Sequence, residues 1–520
     1  MSANSGSSWW DQVWSWQVGG FDWSDIRLLV PIAVAGAIVW ALWLYRVVLS
    51  RGYRPVENDF RTSTSVVVPS FHEDVPILMR CIDTWRSQNP TEIIIVLDVA
   101  DREAFDSIRA LKDPRVKPML FRHAGKRSAL GVGIKAACGE VLVLVDSDTS
   151  WLPGLLDAVQ MPFADPDVGA VSTQQNVFER RTSIWRRIAD WLVNLRYYDY
   201  VPAMSRGGAV ACVSGRTAAY RRAAVMPVLE HLENEFFLGR RCVAGDDGRL
   251  TWLVLASGYK TVHQSSARAL SMFPASLRAF VKQRIRWSRN SYRCYLTAIA
   301  KGWLWRVPFV TKITVLQILL TPVTMGVTLG YLAFSRIQLE VASILLAVGW
   351  LLISRGIRGI SHLRRHPGEI LLLPVLALVV IGIALPIKLY AFVTMNKQGW
   401  LTRHADSVGG DGQTSSDGNR RAERRPVPVP APRPAVALPA GAAAVTAAVA
   451  VVRPAAADPG RGAPQPVATG SDLTLPMRPV RRQPASATRP PVPHQPRHNG
   501  EHHNEQGDDV PTTALPRSPR

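Results

Sequence analysis

The spacing of apolar and polar positions changes three times along this chain, and each change marks a different kind of structure. Leu28 to Leu49, LLVPIAVAGAIVWALWLYRVVL, is a nearly unbroken apolar run of the length a bilayer-crossing helix needs. From about 60 to 275 the pattern is finer. Short β-branched runs, TSVVVPSF, EIIIVLD and EVLVLVDSD, end in polar residues. Runs that are apolar at every position suit strands buried on both faces, as in a parallel sheet. Segments with helical spacing lie between them, VPILMRCIDTWRSQ and SALGVGIKAAC. This alternation predicts a doubly wound, Rossmann-like α/β domain, with ligands at the carboxyl ends of its strands. Long apolar runs return at about 309–334, 337–354 and 370–394, predicting transmembrane or re-entrant α-helices over 307–400.

Flanking charge orients these segments. Asp22 and Asp25 precede the first span, predicted over 27–50, and Arg46, Arg51 and Arg54 lie at its end or after it. No basic stretch precedes the span and no small-residue cleavage site follows it, which argues against a cleaved signal peptide. The positive-inside rule places the α/β domain in the cytoplasm, and the basic loop SRGIRGISHLRRHP is expected on the same side. The chain reads as a multi-pass protein of the plasma membrane. The last apolar run carries Pro374 and Pro386. If it crosses once, the following NKQGWLTRH lies outside; if it is re-entrant, that stretch stays inside, as Lys388, Lys397 and Arg403 favour. Residues 1–26 form a Trp-rich leader expected at the membrane interface. From about 404 to 520 the chain is rich in Pro, Ala, Gly and Arg. Such a composition buries too little apolar surface to offset the entropy of ordering, so a disordered tail is expected.

The formal net charge of +21 admits nucleic acid, an anionic membrane face or a phosphorylated substrate as partner. Five cysteines without a CxxC pair suggest neither a zinc site nor a disulfide framework.

Candidate chemistry gathers at five places. Asp98 ends an apolar run in VLDVAD, where an Asp is either a turn residue or a ligand contact. Asp146 and Asp148, in VDSDT, can face a hard cation or make an acidic turn. Asp246 and Asp247, in GDDGRLT, are adjacent carboxylates. Their repulsion can raise one pKa and tune a general base, and the same stretch looks like a helix start. Lys126 and Arg127 precede a predicted helix and are either a solvated turn or a diphosphate contact. The fifth place is FVKQRIRWSRNSYRCY, Phe280 to Tyr295, basic and aromatic at once. Arg286 offers a planar fork for phosphate oxygens, and Trp287 a flat face for a sugar ring. Its position, after three acidic sites and just before a membrane span, sets aside nucleic acid as a partner.

In this order and spacing the motifs D, DxD, (E/D)D and QxxRW, at Asp98, Asp146–Asp148, Asp246–Asp247 and Gln283–Arg286–Trp287, resemble family 2 processive membrane glycosyltransferases. The stretches VVVPSFHED, GKRSAL, VSGRTAAYR, QRIRWSRNSYR and LPIKLYAFVTMNKQGWLTR are most similar to hyaluronan synthases within the cellulose and chitin synthase superfamily. Chitin-type and chito-oligosaccharide synthases are close competitors. VLDVAD stands in place of the more usual Asp-Asp-Gly-Ser wording, and Leu401 where that branch usually has Gly.

The resemblance implies a GT-A domain that binds a UDP-sugar. By it, Glu73 and Asp98 hold uridine, Lys126, Gln283 and Arg286 meet the donor, and Asp146 with Asp148 organise Mg2+ or Mn2+. Asp247, beside Asp246, is the base of an inverting transfer. Trp287, Ser214 and Gly215 border the acceptor, and Trp400, Thr402 and Arg403 form a gating loop over the nucleotide. The partners implied are a UDP-sugar, a growing polysaccharide exported through the membrane, and lipid. Residues 276–306 would lie at the interface, with Lys282, Arg289 and Arg293 facing lipid head groups or holding the cytoplasmic side.

Overall fold

The structure is a computed structural model that describes residues 17–18, 21–22, 24–122, 125–334 and 341–397. Most of the Trp-rich leader, the gating-loop candidates Trp400, Thr402 and Arg403, and the tail from 404 lie outside the described residues.

Eight strands make one twisted sheet: β1 (Thr64–Pro69), β2 (Glu92–Asp98), β3 (Val116–Phe121), β4 (Val141–Val145), β5 (Thr149–Trp151), β6 (Val168–Val177), β7 (Thr217–Arg221) and β8 (Lys260–Ser271). Their spatial order is β3-β2-β1-β4-β7-β6-β8-β5. The first four are parallel. Strand β7 then runs antiparallel to both β4 and β6, β8 is parallel to β6, and β5 is antiparallel to β8. The sheet is thus mixed, its parallel half being the one the apolar runs predict.

Those runs are buried throughout because alternate residues enter different cores. Val66, Val68, Ile93, Ile95, Val141 and Val143 face one layer; Val67, Ile94, Val96, Leu142 and Leu144 face the other. The first layer is closed by α2 (Val75–Arg86), α3 (Arg102–Arg109) and α5 (Leu155–Gln160). The second is closed by α4 (Lys126–Ala136), α6 (Ile184–Leu195) and α8 (Asp246–Ala256). Helix α2 shows why such segments form. Asp74 caps it, accepting the Ile77 N–H at 3.1 Å, a contact worth about 1 kcal/mol. Leu78, Cys81, Ile82 and Trp85 then form its buried stripe.

The remaining helices surround this domain: α1 (Ser24–Arg51), α7 (Val201–Arg206), α9 (Leu277–Ala300), α10 (Phe309–Phe334), α11 (Val341–Arg358), α12 (Leu373–Val379) and α13 (Leu385–Val393). Among the described residues, Phe309–Val327 and Pro367–Val393 are long and apolar enough to cross a membrane. They expose Leu320, Val323, Val327, Leu371, Leu378 and Val393, a face that lipid suits better than water.

Two charges sit differently from expectation. Arg289 and Arg293 are buried rather than turned toward head groups. Arg289 Nη2 donates to Thr394 Oγ1 at 2.8 Å and Arg293 Nη1 to the Met395 carbonyl at 2.6 Å. They fasten α9 to the end of α13, because a buried guanidinium needs partners and the helix end offers free carbonyls.

Candidate active site

A cavity of about 210 Å³ opens where the turn after β4, the first turn of α8 and the middle of α9 converge. Asp146 and Asp148 line it from the turn between β4 and β5. Glu73 is tied to that turn, for its Oε2 accepts a hydrogen bond from Ser147 Oγ at 2.6 Å. Asp98 ends β2, buried, and its Oδ1 accepts the Ala100 N–H at 2.8 Å. The turn role is therefore realised for Asp98. Neither Glu73 nor Asp98 is part of the cavity wall.

Asp246 and Asp247 open α8, and the backbone holds them closely. Gly245, the residue before them, has φ +77, and an added Cβ there would meet Asn290 Cγ at 3.0 Å. Only glycine fits both demands. Arg127 Nη2 donates to the Gly245 carbonyl at 3.0 Å while its Nη1 pairs with Glu235 at 2.6 Å. Asp247 Oδ1 accepts the Gly248 N–H at 2.8 Å. The helix N-terminus favours negative charge here.

Lys126 lies between the acidic clusters, with Nζ 2.8 Å from Asp146 Oδ1 and 3.0 Å from Asp246 Oδ2. Burial opposes its charge, but the Asp146 and Asp246 carboxylates outweigh this and raise its pKa. Burial pushes the Asp246 carboxyl up, and Lys126 overrides it, so Asp246 is held below its ordinary value. Asp247 goes the other way: burial and then the neighbouring Asp246 charge raise it. The two carboxylates are thereby separated, one a permanent anion and the other able to take a proton.

Helix α9 supplies the opposite wall. Gln283 is buried, and its Oε1 and Arg286 Nε have no hydrogen-bond partner among the described residues. Unpaired buried polar atoms at a cavity are costly unless a ligand satisfies them. Trp287 is fixed edge-on against Phe273, centroids 6.3 Å apart, and the Arg216 and Arg284 guanidiniums lie 5.1 and 5.0 Å from its ring. Ser214 and Gly215 complete the wall beside the carboxylates.

The cavity also holds residues the sequence did not single out. Arg216 sits within SGRTAAYR, Ser214 to Arg221, a stretch the resemblance places beside the acceptor without giving this residue a role of its own. Arg196 and Tyr197 come from a π-helical turn after α6, a local irregularity that spacing does not announce. Cys212 places its Sγ 3.8 Å from Asp247 Oδ2.

Residues 61–290 match the family described as glycosyltransferase like family 2. The chain carries a glycosyltransferase family 2 domain. A hyaluronan synthase of Streptococcus pyogenes is 27% identical over 386 residues, 72% of this chain and 91% of its own. An N-acetylglucosaminyltransferase of Rhizobium meliloti is 29% identical over 389 residues, 68% of this chain and 84% of its own. A mannosyltransferase of Pyrobaculum calidifontis, solved with GDP-Man and Mn2+, aligns with a TM-score of 0.50 at 20% identity, over 71% of this chain and 98% of its own. Together with the mixed sheet, that likeness makes the fold GT-A. This glycosyltransferase has the Asp146–Asp148 and Asp246–Asp247 carboxylates, Lys126 and its QxxRW helix around one cavity, with Asp98 outside it.

Proposed function

We propose that this glycosyltransferase polymerises UDP-activated sugars into a β-linked, hyaluronan-like extracellular polysaccharide and passes the product across the plasma membrane, with its catalytic domain in the cytoplasm. One observation carries the reading. Asp146, Asp148, Asp247, Arg286 and Trp287, distant in sequence, line a single cavity on α9, a helix fastened to the end of the apolar run Pro367–Val393.

Lys126 and Arg286 hold the diphosphate oxygens, with Gln283 as a neutral donor or acceptor beside them. Glu73 and Asp98 contact the uridine at the sheet edge. Asp146 and Asp148 suit a hard divalent cation, since both are carboxylates that line the cavity from one turn. When bound, Mg2+ or Mn2+ would be held by these two carboxylates and would supply charge neutralisation for the departing diphosphate. Asp247 accepts the proton of the acceptor hydroxyl as that oxygen attacks the anomeric carbon, and Asp246 keeps it in place and poised. With no second carboxylate acting as nucleophile, the attack is in line and inverts the centre, so an α-linked donor gives a β-linkage. Trp287 carries the acceptor sugar on its face, bordered by Ser214 and Gly215.

A second reading has support from the comparisons. N-acetylglucosaminyltransferases are as similar to this chain as hyaluronan synthases are, which favours a GlcNAc-only chain or addition to a lipid or short acceptor. Radiolabel incorporation by purified membranes decides between them, with UDP-GlcNAc, UDP-GlcA and UDP-Glc offered singly and in pairs. The hyaluronan-like reading expects polymer only when GlcNAc and GlcA donors are both present. Incorporation from UDP-GlcNAc alone overturns it in favour of the second.

A further inference from the structure

The residues Arg196–Tyr200 form a π-helical turn between α6 and α7. Such turns are rare and occur frequently at functional sites. Here the five side chains reach three parts of the molecule. Arg196 lines the cavity and donates to the Cys212 carbonyl at 2.9 Å. Tyr197 is buried, lines the same cavity and shares a hydrogen bond with Ser214. Tyr198 packs under Arg365, whose guanidinium carbon is 3.6 Å from the ring centroid. Asp199 is buried and accepts from Ser361 Oγ at 2.5 Å. Tyr200 faces Arg46 of α1, 5.0 Å from ring to guanidinium. Arg46 in turn donates to Thr314 Oγ1 at 3.0 Å and Gln317 Oε1 at 2.6 Å on α10.

The same connection after α11 also clamps α6. Arg180 Nη1 lies 2.8 Å from Glu369 and 3.8 Å from Asp190, and Asn194 Nδ2 is 2.9 Å from His362 Nδ1. Ligand atoms of Asp190, His362 and His366 lie within 4.8 Å of one another. The Arg180 guanidinium already brings positive charge among them, 3.1 Å from His366 Nδ1. The group therefore works as a buried ion-pair network rather than a cation site.

We infer that the π turn is a positioning element for the acceptor, tying the acceptor end of the cavity to α1, α10 and the connection after α11. An in-line displacement places the attacking hydroxyl opposite the leaving group. Lys126, Asp146 and Asp148 mark the leaving-group end, while Arg196 reaches Asp247 by way of Cys212, whose carbonyl it holds at 2.9 Å and whose Sγ lies 3.8 Å from Asp247 Oδ2. The acceptor thus approaches over Arg196 and Tyr197. The inference rests on the reading of Asp247 as the base and extends it to what holds the sugar being extended.

The test uses the full chain, purified in detergent, with Tyr198→Leu, Ser361→Ala and Tyr200→Leu. Each removes one tie and leaves every cavity-lining residue in place. Donor KM and the initial rate of UDP release report the donor side. Product length reports the acceptor side or, if the enzyme adds single sugars, KM for an added acceptor does. Product should shorten, or acceptor KM rise, by roughly threefold to fivefold, as loss of one cation–π or hydrogen-bond tie allows. Donor KM should stay unchanged, with all rates read at a temperature where every variant is folded. Tyr198→Phe, which keeps the ring under Arg365, should behave as wild type. Unchanged acceptor readouts in all three variants overturn the inference, as does a parallel loss on the donor side. A wild-type enzyme that adds single sugars overturns the polymerase reading, while acceptor KM still decides this one.

Discussion

Replacing Arg127 with methionine keeps most of the side chain's volume and removes its fork. The guanidinium is almost fully enclosed, 5% exposed, against a Glu235 carboxylate at 9%, with 2.6 Å between them. Its other bonds go to the Leu232 carbonyl at 3.2 Å and the Gly245 carbonyl at 3.0 Å. Breaking a buried pair from one side costs about 3–5 kcal/mol, because the remaining charge is stranded. Arg249 Nε stays 3.2 Å from Glu235 and takes up part of that charge, so the loss should fall in the lower half of this range. At about 2–4 °C per kcal/mol for a domain of this size, the thermal midpoint should drop by about 6–15 °C. The freed Gly245 carbonyl lies directly before Asp246 and Asp247. Sugar transfer should therefore fall by roughly 10²-fold even below the new midpoint, as small displacements of a catalytic group do. Arg127→Lys, which keeps charge without the fork, should be intermediate. The assays are thermal unfolding of the purified protein and initial rates at a temperature where both forms are folded. A midpoint within about 2 °C of wild type, or transfer unaffected, would refute this account of the α8 start.

If Asp247 is the base, as proposed, transfer needs it ionised, and its carboxyl is held above its ordinary value by burial and by Asp246. Activity should be full above that raised pKa and be lost as pH falls through it. Asp246→Asn removes the neighbouring charge and should move the acid limb of kcat/KM to lower pH; a limb that stays or moves up contradicts the coupling. Gly245→Ala forces a Cβ into φ +77 and against Asn290, so it should cost about 1–2 kcal/mol in thermal unfolding. Chelation with EDTA should abolish transfer, with Mg2+ or Mn2+ restoring it and Asp148→Asn raising the metal concentration needed; transfer that persists in chelator contradicts the carboxylate assignment.

The parallel half of the sheet was legible because EIIIVLD and VLVLV are apolar on both faces and can be nothing but interior strands. The antiparallel half was not. Strand β8, KTVHQSSARALS, reads as polar, yet Thr261, His263, Gln264 and Ser271 are buried. Their polar atoms find partners far along the chain, such as Gln264 Nε2 on the Val56 carbonyl at 2.7 Å. Local patterning carries no trace of such bonds. The same cause made Arg289 and Arg293 look like surface charges, since Thr394 and Met395 are about a hundred residues away. In the cavity, carboxylates and the QxxRW residues were legible by type and order. Arg196 and Tyr197 were not, because a π turn inside a helical stretch aims them, and the residues LRYYDY give no sign of it.

The most direct test of the account is Asp247→Asn, assayed for donor binding and for transfer in the same preparation. The substitution keeps size and an oxygen for the Gly248 hydrogen bond, and removes the carboxylate's charge together with its capacity to take a proton. The account predicts donor affinity within a small factor of wild type and transfer reduced by about 10²–10⁴-fold. Transfer at near wild-type rate, with donor bound normally, would contradict it.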